Sequence, residues 1–485
     1  MIQFSRRNFL SSASAMAAFG GCRSLGLCGG KPNVKFGVIS DIHVITPEST
    51  DEFERALEYF RDRKADAVIV CGDLTDWGLV SNLKNVAAAW NRVFPGNRAP
   101  DGRRVERLFC SGNHDYEGWW YGDMTMEMHA LGFSEDEAMS KLGFKKCWEE
   151  IFQEEWAPIR RHTVNGYDFV GGEWRGYDKQ DGFNLLPDWL KANGGKLDPS
   201  KPFFYFQHPP IAMTTGDSRR DQHVVKSKPD MTMHNALAAF PNVVTFTGHC
   251  HWTFNDRRSI WQDEFTALAV PSMSYTTIPS GYENGFDVRT GKSTLAMPKI
   301  AARPNLEEAQ GYFVSVYDDR IEVERRDFEQ QTDIGSWIVP LPVKSEKPHD
   351  FAASAAKEPV PEFPAGAMLK TYTRNYETRA DLWGIMMCFD FPTAAGCGWR
   401  AFDYEVRTVL ENGAVALVKR FLSPAFHKLP QDEPAVQHFY FNVDELPQGT
   451  PYRFEVYPRN CFGVRGKPLV SQIRCGKPGL GKAVR

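Results

Sequence analysis

Long hydrophobic runs are scarce in this chain. Past the first thirty or so residues, no stretch reaches the roughly 18 consecutive apolar residues that a membrane-spanning helix needs. An excess of charge of one sign is lacking too. Lys and Arg number 57 against 61 Asp and Glu, a formal net charge of -4, so nothing in the balance draws the chain toward nucleic acid. The ten cysteines include no C-x-x-C pair and no regular spacing. Internal repeats are absent as well. What remains is 485 residues with 42% hydrophobic and 24% charged content, enough for two or three globular domains with a sizeable core.

The N-terminus has its own texture. Ser5-Arg6-Arg7-Asn8-Phe9-Leu10 precedes a small-residue, mildly apolar run through Ala18, Phe19 and Gly20, with no acidic residue. That is the layout of a twin-arginine export signal over residues 1–30 and predicts a periplasmic or cell-envelope protein. Phe19-Gly20-Gly21-Cys22 loosely resembles a lipoprotein processing site, which leaves membrane attachment through a lipidated Cys22 open. Cys71, Cys110 and Cys250 read as small buried strand residues. Cys388, Cys397, Cys461 and Cys475 leave one or two disulfides open.

Apolar runs beyond the signal alternate with helical periodicity. Val34–Ser40 reads as a strand ending at Asp41. A helix follows, with Ser49 and Glu52 as a capping box and Phe53, Leu57 and Phe60 on one face. Ala67–Cys71 is a second strand, ending at Gly72-Asp73. Leu83, Val86, Ala87, Trp90 and Phe94 mark another helix, and Arg107–Cys110 a third strand, ending at Gly112-Asn113-His114-Asp115. This order predicts an α/β layer with a mainly parallel sheet. Phe203–Phe206 then runs into Gln207-His208, and Val243–Phe246 into Gly248-His249-Cys250-His251. Five strand ends thus deliver polar residues, at the place where open α/β sheets put their ligands.

From Gly311 a β-hairpin, Tyr312–Tyr317 with Ile321–Glu324, closes the first domain, expected at 33–335. Residues 336–365 read as a Pro-, Ala-, Lys- and Glu-rich linker. Residues 366–485 alternate in short runs and predict an antiparallel β-sandwich, in which Leu446–Val456 resembles the late strands of a fibronectin type III module, with Tyr452 as its corner tyrosine.

Each polar motif is weak alone, since a capped turn or a surface histidine explains any one of them. The set is not weak. Five of the twelve histidines (His43, His114, His208, His249, His251) fall in these strand-end motifs. Carboxylate, imidazole and amide without clustered thiolates suit catalytic zinc, iron or manganese rather than structural zinc.

The ordered pattern Asp41-x-His43, Gly72-Asp73, Gly112-Asn113-His114-Asp115, His208 and Gly248-His249-x-His251 resembles the calcineurin-like metallophosphoesterase superfamily. That resemblance implies an αββα sandwich and two divalent or trivalent metal ions (Mn, Fe or Zn). Asp41, His43 and His251 would hold one ion, Asn113, His208 and His249 the other, and Asp73 would bridge them. His114 would act at the phosphate, oriented by a hydrogen bond to Asp115. The reaction implied is hydrolysis of a small phosphate ester, with diesters favoured because Gly72-Asp73-Leu74-Thr75-Asp76-Trp77-Gly78 resembles the class III phosphodiesterase branch. Trp77 stands where the protein phosphatases of the superfamily carry an Arg. A phosphomonoesterase or pyrophosphate hydrolase with the same site is the alternative. An inactive metal-site domain serving as an envelope-binding protein is the contrasting one.

Residues 116–156, rich in aromatics and methionine, read either as a lid over the site or as an inserted helical segment packed into the core. Tyr116 and Trp252 are placed to line the site, and Asp217, Arg219 and Arg220 either reach substrate or sit in a solvated loop.

Overall fold

The computed structural model describes residues 30–175, 181–218, 230–276, 282, 286–287, 292–293, 309–342, 347–375, 385–392, 400–426, 436–442 and 445–475. The export-signal and lipidation readings fall outside these, as do Arg219, Arg220, Cys397 and the side chains of Cys388 and Cys475.

Two six-stranded sheets carry the first domain. In chain order the elements are β1 (Val34–Ile39), α1 (Asp51–Asp62), β2 (Ala67–Cys71), α2 (Val80–Val93), β3 (Glu106–Cys110), α3 (Asn113–Glu117), α4 (Gly122–Ala130), α5 (Met139–Leu142), α6 (Phe144–Phe152), β4 (Ile159–Val164), β5 (Tyr167–Gly172), α7 (Gly182–Asn193), β6 (Phe203–Gln207), α8 (Thr232–Ala238), β7 (Val243–Thr247), β8 (Ile260–Gln262) and β9 (Thr266–Ala269). A two-residue ladder, β10 (Phe286–Asp287) with β11 (Lys292–Ser293), precedes the meander β12 (Gln310–Val316), β13 (Arg320–Asp327) and β14 (Thr332–Pro340). The first sheet runs β14-β13-β12-β1-β2-β3, parallel across β1, β2 and β3 and antiparallel elsewhere. The second runs β4-β5-β6-β7-β9-β8, with β5, β6, β7 and β9 parallel.

The central strands β2, β6 and β7 are buried on both faces, which is why they read as unbroken apolar runs. Val34, Phe36 and Val38 of β1 face the second sheet, where the Phe36 ring lies 5.1 Å from Phe169, 4.8 Å from Phe204 and 6.0 Å from Phe246. Burying such a ring stabilises the fold by about 2–3 kcal/mol. Ile39, Val68 and Val70 face the other way, onto Phe53, Leu57 and Phe60 of α1 and Leu83, Val86 and Trp90 of α2. Leu186 and Leu190 of α7 and Leu237 of α8 cover the outer face of the second sheet. Helix, sheet, sheet, helix is therefore the layer order.

The start of α1 departs from expectation. Ser49 lies in a 3-10 turn (Pro47–Thr50), where its hydroxyl accepts from the amides of Ile45 and Thr46, and Glu52 pairs with Arg55 instead of completing a capping box. The hairpin of β12 and β13 forms, but β14 carries the sheet to Pro340, and α9 (Phe351–Lys357) lies within the stretch read as linker.

The C-terminal part is antiparallel. Its strands are β15 (Lys370–Asn375), β16 (Ile385–Pro392), β17 (Asp403–Leu410), β18 (Val415–Leu422), β19 (Val436–Asn442), β20 (Pro451–Arg459), β21 (Leu469–Val470) and β22 (Arg474–Cys475). One sheet is β15-β16-β19, and the other is β18-β17-β20-β21 with β22 also on β20. Phe439 and Phe441 of the first sheet share a core with Tyr404, Phe421, Tyr452, Phe454 and Val456 of the second. Cys461 is a buried free thiol, so it joins no disulfide.

Candidate metal centre

Asp41, Asp73, Asn113, His208 and His249 lie just past the carboxyl ends of β1, β2, β3, β6 and β7. Neighbouring parallel strands bring these ends together. The backbone is bent sharply there. Asp41 (φ 53°), His43 (φ 47°), Asp73 (φ 50°), His249 (φ 72°) and His251 (φ 47°) all adopt the left-handed region, five of the eleven non-glycine residues that do so among those described. Each costs on the order of 1 kcal/mol and persists only because its surroundings over-determine it. Gly72 (φ +87°) permits the close approach of His208, since a Cβ there would lie 2.4 Å from the imidazole Nδ1.

The donor atoms fall into two groups around Asp73. In the first, Nε2 of His43 and Nε2 of His251 are 3.2 Å apart, and Nε2 of His251 is 3.2 Å from Oδ1 of Asp41. In the second, Oδ1 of Asn113 lies 2.9 Å from both Nε2 of His208 and Nδ1 of His249. Oδ2 of Asp73 stands between the groups, 3.1 Å from His208 Nε2 and 3.7 Å from His43 Nε2.

Hydrogen bonds on the far side set what these atoms present. Nδ1 of His208 donates to the carbonyl of Cys71, and Nδ1 of His251 to the carbonyl of Tyr275, both at 2.8 Å. A carbonyl only accepts, so each ring carries its proton on Nδ1 and turns Nε2 inward. Nδ2 of Asn113 donates to the Tyr121 hydroxyl at 2.9 Å, which turns Oδ1 inward too. Inward-facing nitrogen and oxygen acceptors about 3 Å apart repel unless cations or protons lie between them. Protons partly fill that role. Burial opposes a charged His208 ring, but Asp73 and Asp41 raise its pKa to about 9. Burial likewise opposes ionised Asp73, yet His208, His114 and His43 hold it well below the usual carboxylate range. Donor chemistry, burial and paired acceptors all fit two metal ions with Asp73 between them.

The sequence supports the same reading, since residues 34–253 match the calcineurin-like phosphoesterase family. The chain carries a calcineurin-like phosphoesterase domain. Among solved structures it is similar to a dimetal phosphatase from Danio rerio, at 12% identity and a TM-score of 0.36, covering 64% of this chain and 99% of that one. It is also similar to GAP50, the anchor in the inner membrane complex of Plasmodium, at 12% and 0.37 over 65% and 90% of the two chains. A third similarity is to purple acid phosphatase PPD1 from yellow lupin (Lupinus luteus) seeds, at 11% and 0.39, spanning 64% of this chain and 55% of that one. No curated protein matches the sequence.

Within the phosphoesterase domain, the expected role of Asp115 needs correction. Its carboxylate accepts from the amides of Leu74 (3.1 Å), Thr75 (2.8 Å) and Gly112 (2.8 Å) and from the Thr75 hydroxyl (2.9 Å), pinning the Asp73 loop to the Asn113 turn. Burial, and then Asp73, push its pKa up to about 7, against those four donors. The residue that orients His114 is Asp76, whose backbone carbonyl accepts from Nδ1 of His114 at 2.8 Å, with its carboxylate 3.3 Å away. The same carboxylate accepts from Nδ1 of His43 at 2.8 Å. Sequence reasoning quoted Asp76 in its motif without giving it a role. His114 is largely buried, and although burial opposes its charge, Asp73 and Asp76 raise its pKa to about 9.

Trp77 does not face the site. It is fully buried against Phe133, Met124, Met128 and Leu79, and so anchors the 116–156 segment. That segment is core-packed along Phe144, Trp148 and Phe152 and carries Tyr121 to the site, while Trp120 stands exposed on Trp119. Tyr116 packs on Phe144 in the helical layer. Asp217 is buried rather than solvated, accepting from the Thr215 hydroxyl and the Ser218 amide. Two half-buried rings stand at the site, Tyr121 from the aromatic segment read as a lid or core and Tyr275, which sequence reasoning missed. Tyr275 lies 4.1 Å from the His251 ring and 5.6 Å from His43, and Tyr121 lies 4.9 Å from His114. The Tyr275 carbonyl accepts from His251 and its amide donates to the Ser272 hydroxyl, contacts that no sequence motif signals.

Proposed function

We propose that this protein is a dinuclear metal hydrolase of phosphate esters, with diesters as its preferred substrates. The convergence of acceptor atoms in two groups around Asp73, with His114 beside them, carries this reading. Asp41, His43 and His251 would hold one ion, Asn113, His208 and His249 the other, and Asp73 both. Such ions, when bound, make a water nucleophilic at neutral pH and offset charge on phosphate oxygens. His114 spends Nδ1 on Asp76, so the proton it shares with a substrate or gives to a leaving oxygen is the one on Nε2. The Asp76 carboxylate, 3.3 Å from Nδ1, favours the charged ring that carries that proton. Tyr121 and Tyr275, at opposite histidines, offer apolar walls to the organic part of an ester. Trp77, buried where an Arg would clamp a monoester dianion, favours diesters.

The twin-arginine layout supports an exported enzyme, in the periplasm or attached to the envelope through Cys22. The two C-terminal sheets with their common core support a fibronectin type III-like sandwich, with Tyr452 buried in it.

Hydrolysis of bis-p-nitrophenyl phosphate and p-nitrophenyl phosphate, by chelator-stripped protein reloaded with manganese, zinc or iron, tests the proposal. Metal-restored turnover with the diester ahead is the expected result. Monoester turnover alone keeps the chemistry and changes the substrate, and no turnover with any metal turns the reading toward a binding protein.

A further inference from the structure

The residue after His251 does not face substrate. Trp252 is fully buried, and its ring meets Phe426 of the C-terminal part edge-on at 5.2 Å. Phe426 in turn meets Phe402 at 5.6 Å, and Ala269, Tyr282, Leu422 and Cys461 complete an apolar plug. Polar contacts ring it. The Tyr282 hydroxyl donates to Oδ2 of Asp403 at 3.0 Å, Arg257 pairs with Glu358 at 3.0 Å, and the Arg258 guanidinium lies 4.8 Å over Phe402.

Two of the plug's three residues on the catalytic side, Trp252 and Ala269, lead to residues of the candidate metal centre. Trp252 follows His251 directly. Ala269 closes β9, and the segment beyond it returns to the site, where the Ser272 hydroxyl donates to the carbonyl of Asp41 and the Tyr275 carbonyl accepts from His251. Because Asp41, His249 and His251 all hold left-handed backbone, they depend on such outside support. A packed interior transmits a displacement rather than absorbing it.

We propose that the C-terminal part is a structural component of the metal centre, with Phe426 as a positioning residue that holds the His249–His251 loop through Trp252. This rests on the two-metal reading of the site. A freely tethered module would leave the loop indifferent to its core; here Phe426 is the contact through which the module sets how firmly Asp41, His249 and His251 hold metal.

The test uses the full chain with Phe426→Ala, the milder Phe426→Leu, and Phe454→Ala as control. Phe454 is equally buried in the C-terminal core but outside the plug. Manganese affinity is measured by chelator competition, alongside circular dichroism, kcat and KM. Phe426→Ala is expected to weaken at least one manganese by tenfold or more and to lower kcat with KM within twofold; Phe426→Leu should give a smaller loss, which decides the matter if the alanine variant does not fold. Phe454→Ala should lose thermal stability and keep its metal affinity. Wild-type affinity in both Phe426 variants, or an equal loss in Phe454→Ala, overturns the inference and leaves the phosphoesterase reading intact. If wild-type protein binds no metal pair, both fall, and if it binds the pair without hydrolysing esters, only the functional reading falls.

Discussion

The carboxylate of Asp76 accepts a hydrogen bond from Nδ1 of His43 at 2.8 Å, so one acidic side chain aims an imidazole of the candidate metal centre. Because the backbone carbonyl of the same residue aims His114, Asp76 couples the candidate metal centre to the residue proposed to act on substrate. Removing such a supporting carboxylate typically costs about 10–100-fold in metal affinity or activity. Asp76→Ala should show a loss in that range in both manganese affinity and kcat. Wild-type affinity in this variant would mean that His43 holds its orientation without help.

Asp115 should behave as a structural residue. Deleting its carboxylate strands three backbone amides and a hydroxyl in the interior, which costs about 3 kcal/mol or more. Urea unfolding of Asp115→Ala should report that loss. A residue that merely oriented His114 would leave the unfolding midpoint in place and change only the pH profile of kcat.

His114→Ala should lower kcat by roughly 10²–10⁴-fold while metal content stays near that of the wild type, because the Nε2 proton is lost with the ring. Metal content read by elemental analysis decides this. Loss of an ion would make His114 a ligand.

His349 predicts a pH dependence of stability. Its Nε2 donates to the carbonyl of Ile338 at 2.9 Å, and its pKa is lowered to about 4, chiefly because burial disfavours the charged ring. An unfolded chain protonates the same side chain near pH 6.5. Stability is therefore intact above about pH 6.5 and falls as the pH drops toward 4, by at most about 3 kcal/mol. Unfolding free energies of wild type and His349→Gln across pH 4–7 should converge at the acid end. Parallel curves would show that His349 does not contribute.

The local part of this protein was legible in its sequence because it rests on short-range rules. Runs such as Ala67–Cys71 read as strands because a strand covered on both faces is apolar throughout. Phe53, Leu57 and Phe60 read as a helix face because such spacing returns to the same side every turn. The motif residues stood at strand ends, where parallel sheets open, so Asp41, Asp73, Asn113, His208 and His249 could be gathered before any coordinates.

Direction and distant contact were not legible. Which of Asp76 and Asp115 reaches His114 depends on backbone angles at a left-handed turn and a helix start, and adjacency in the sequence carries no information about either. Ser49 and Glu52 match a capping box, yet the chain turns one residue later and satisfies the amides differently. Trp252 looked like a wall of the site until Phe426, 174 positions away, was seen to cover it. A side chain's neighbours across such separations follow from how whole layers pack. The sequence by itself therefore determined the chemistry and the strand ends that carry it, and only the tertiary structure decided which groups aim that chemistry and which distant part of the chain supports it.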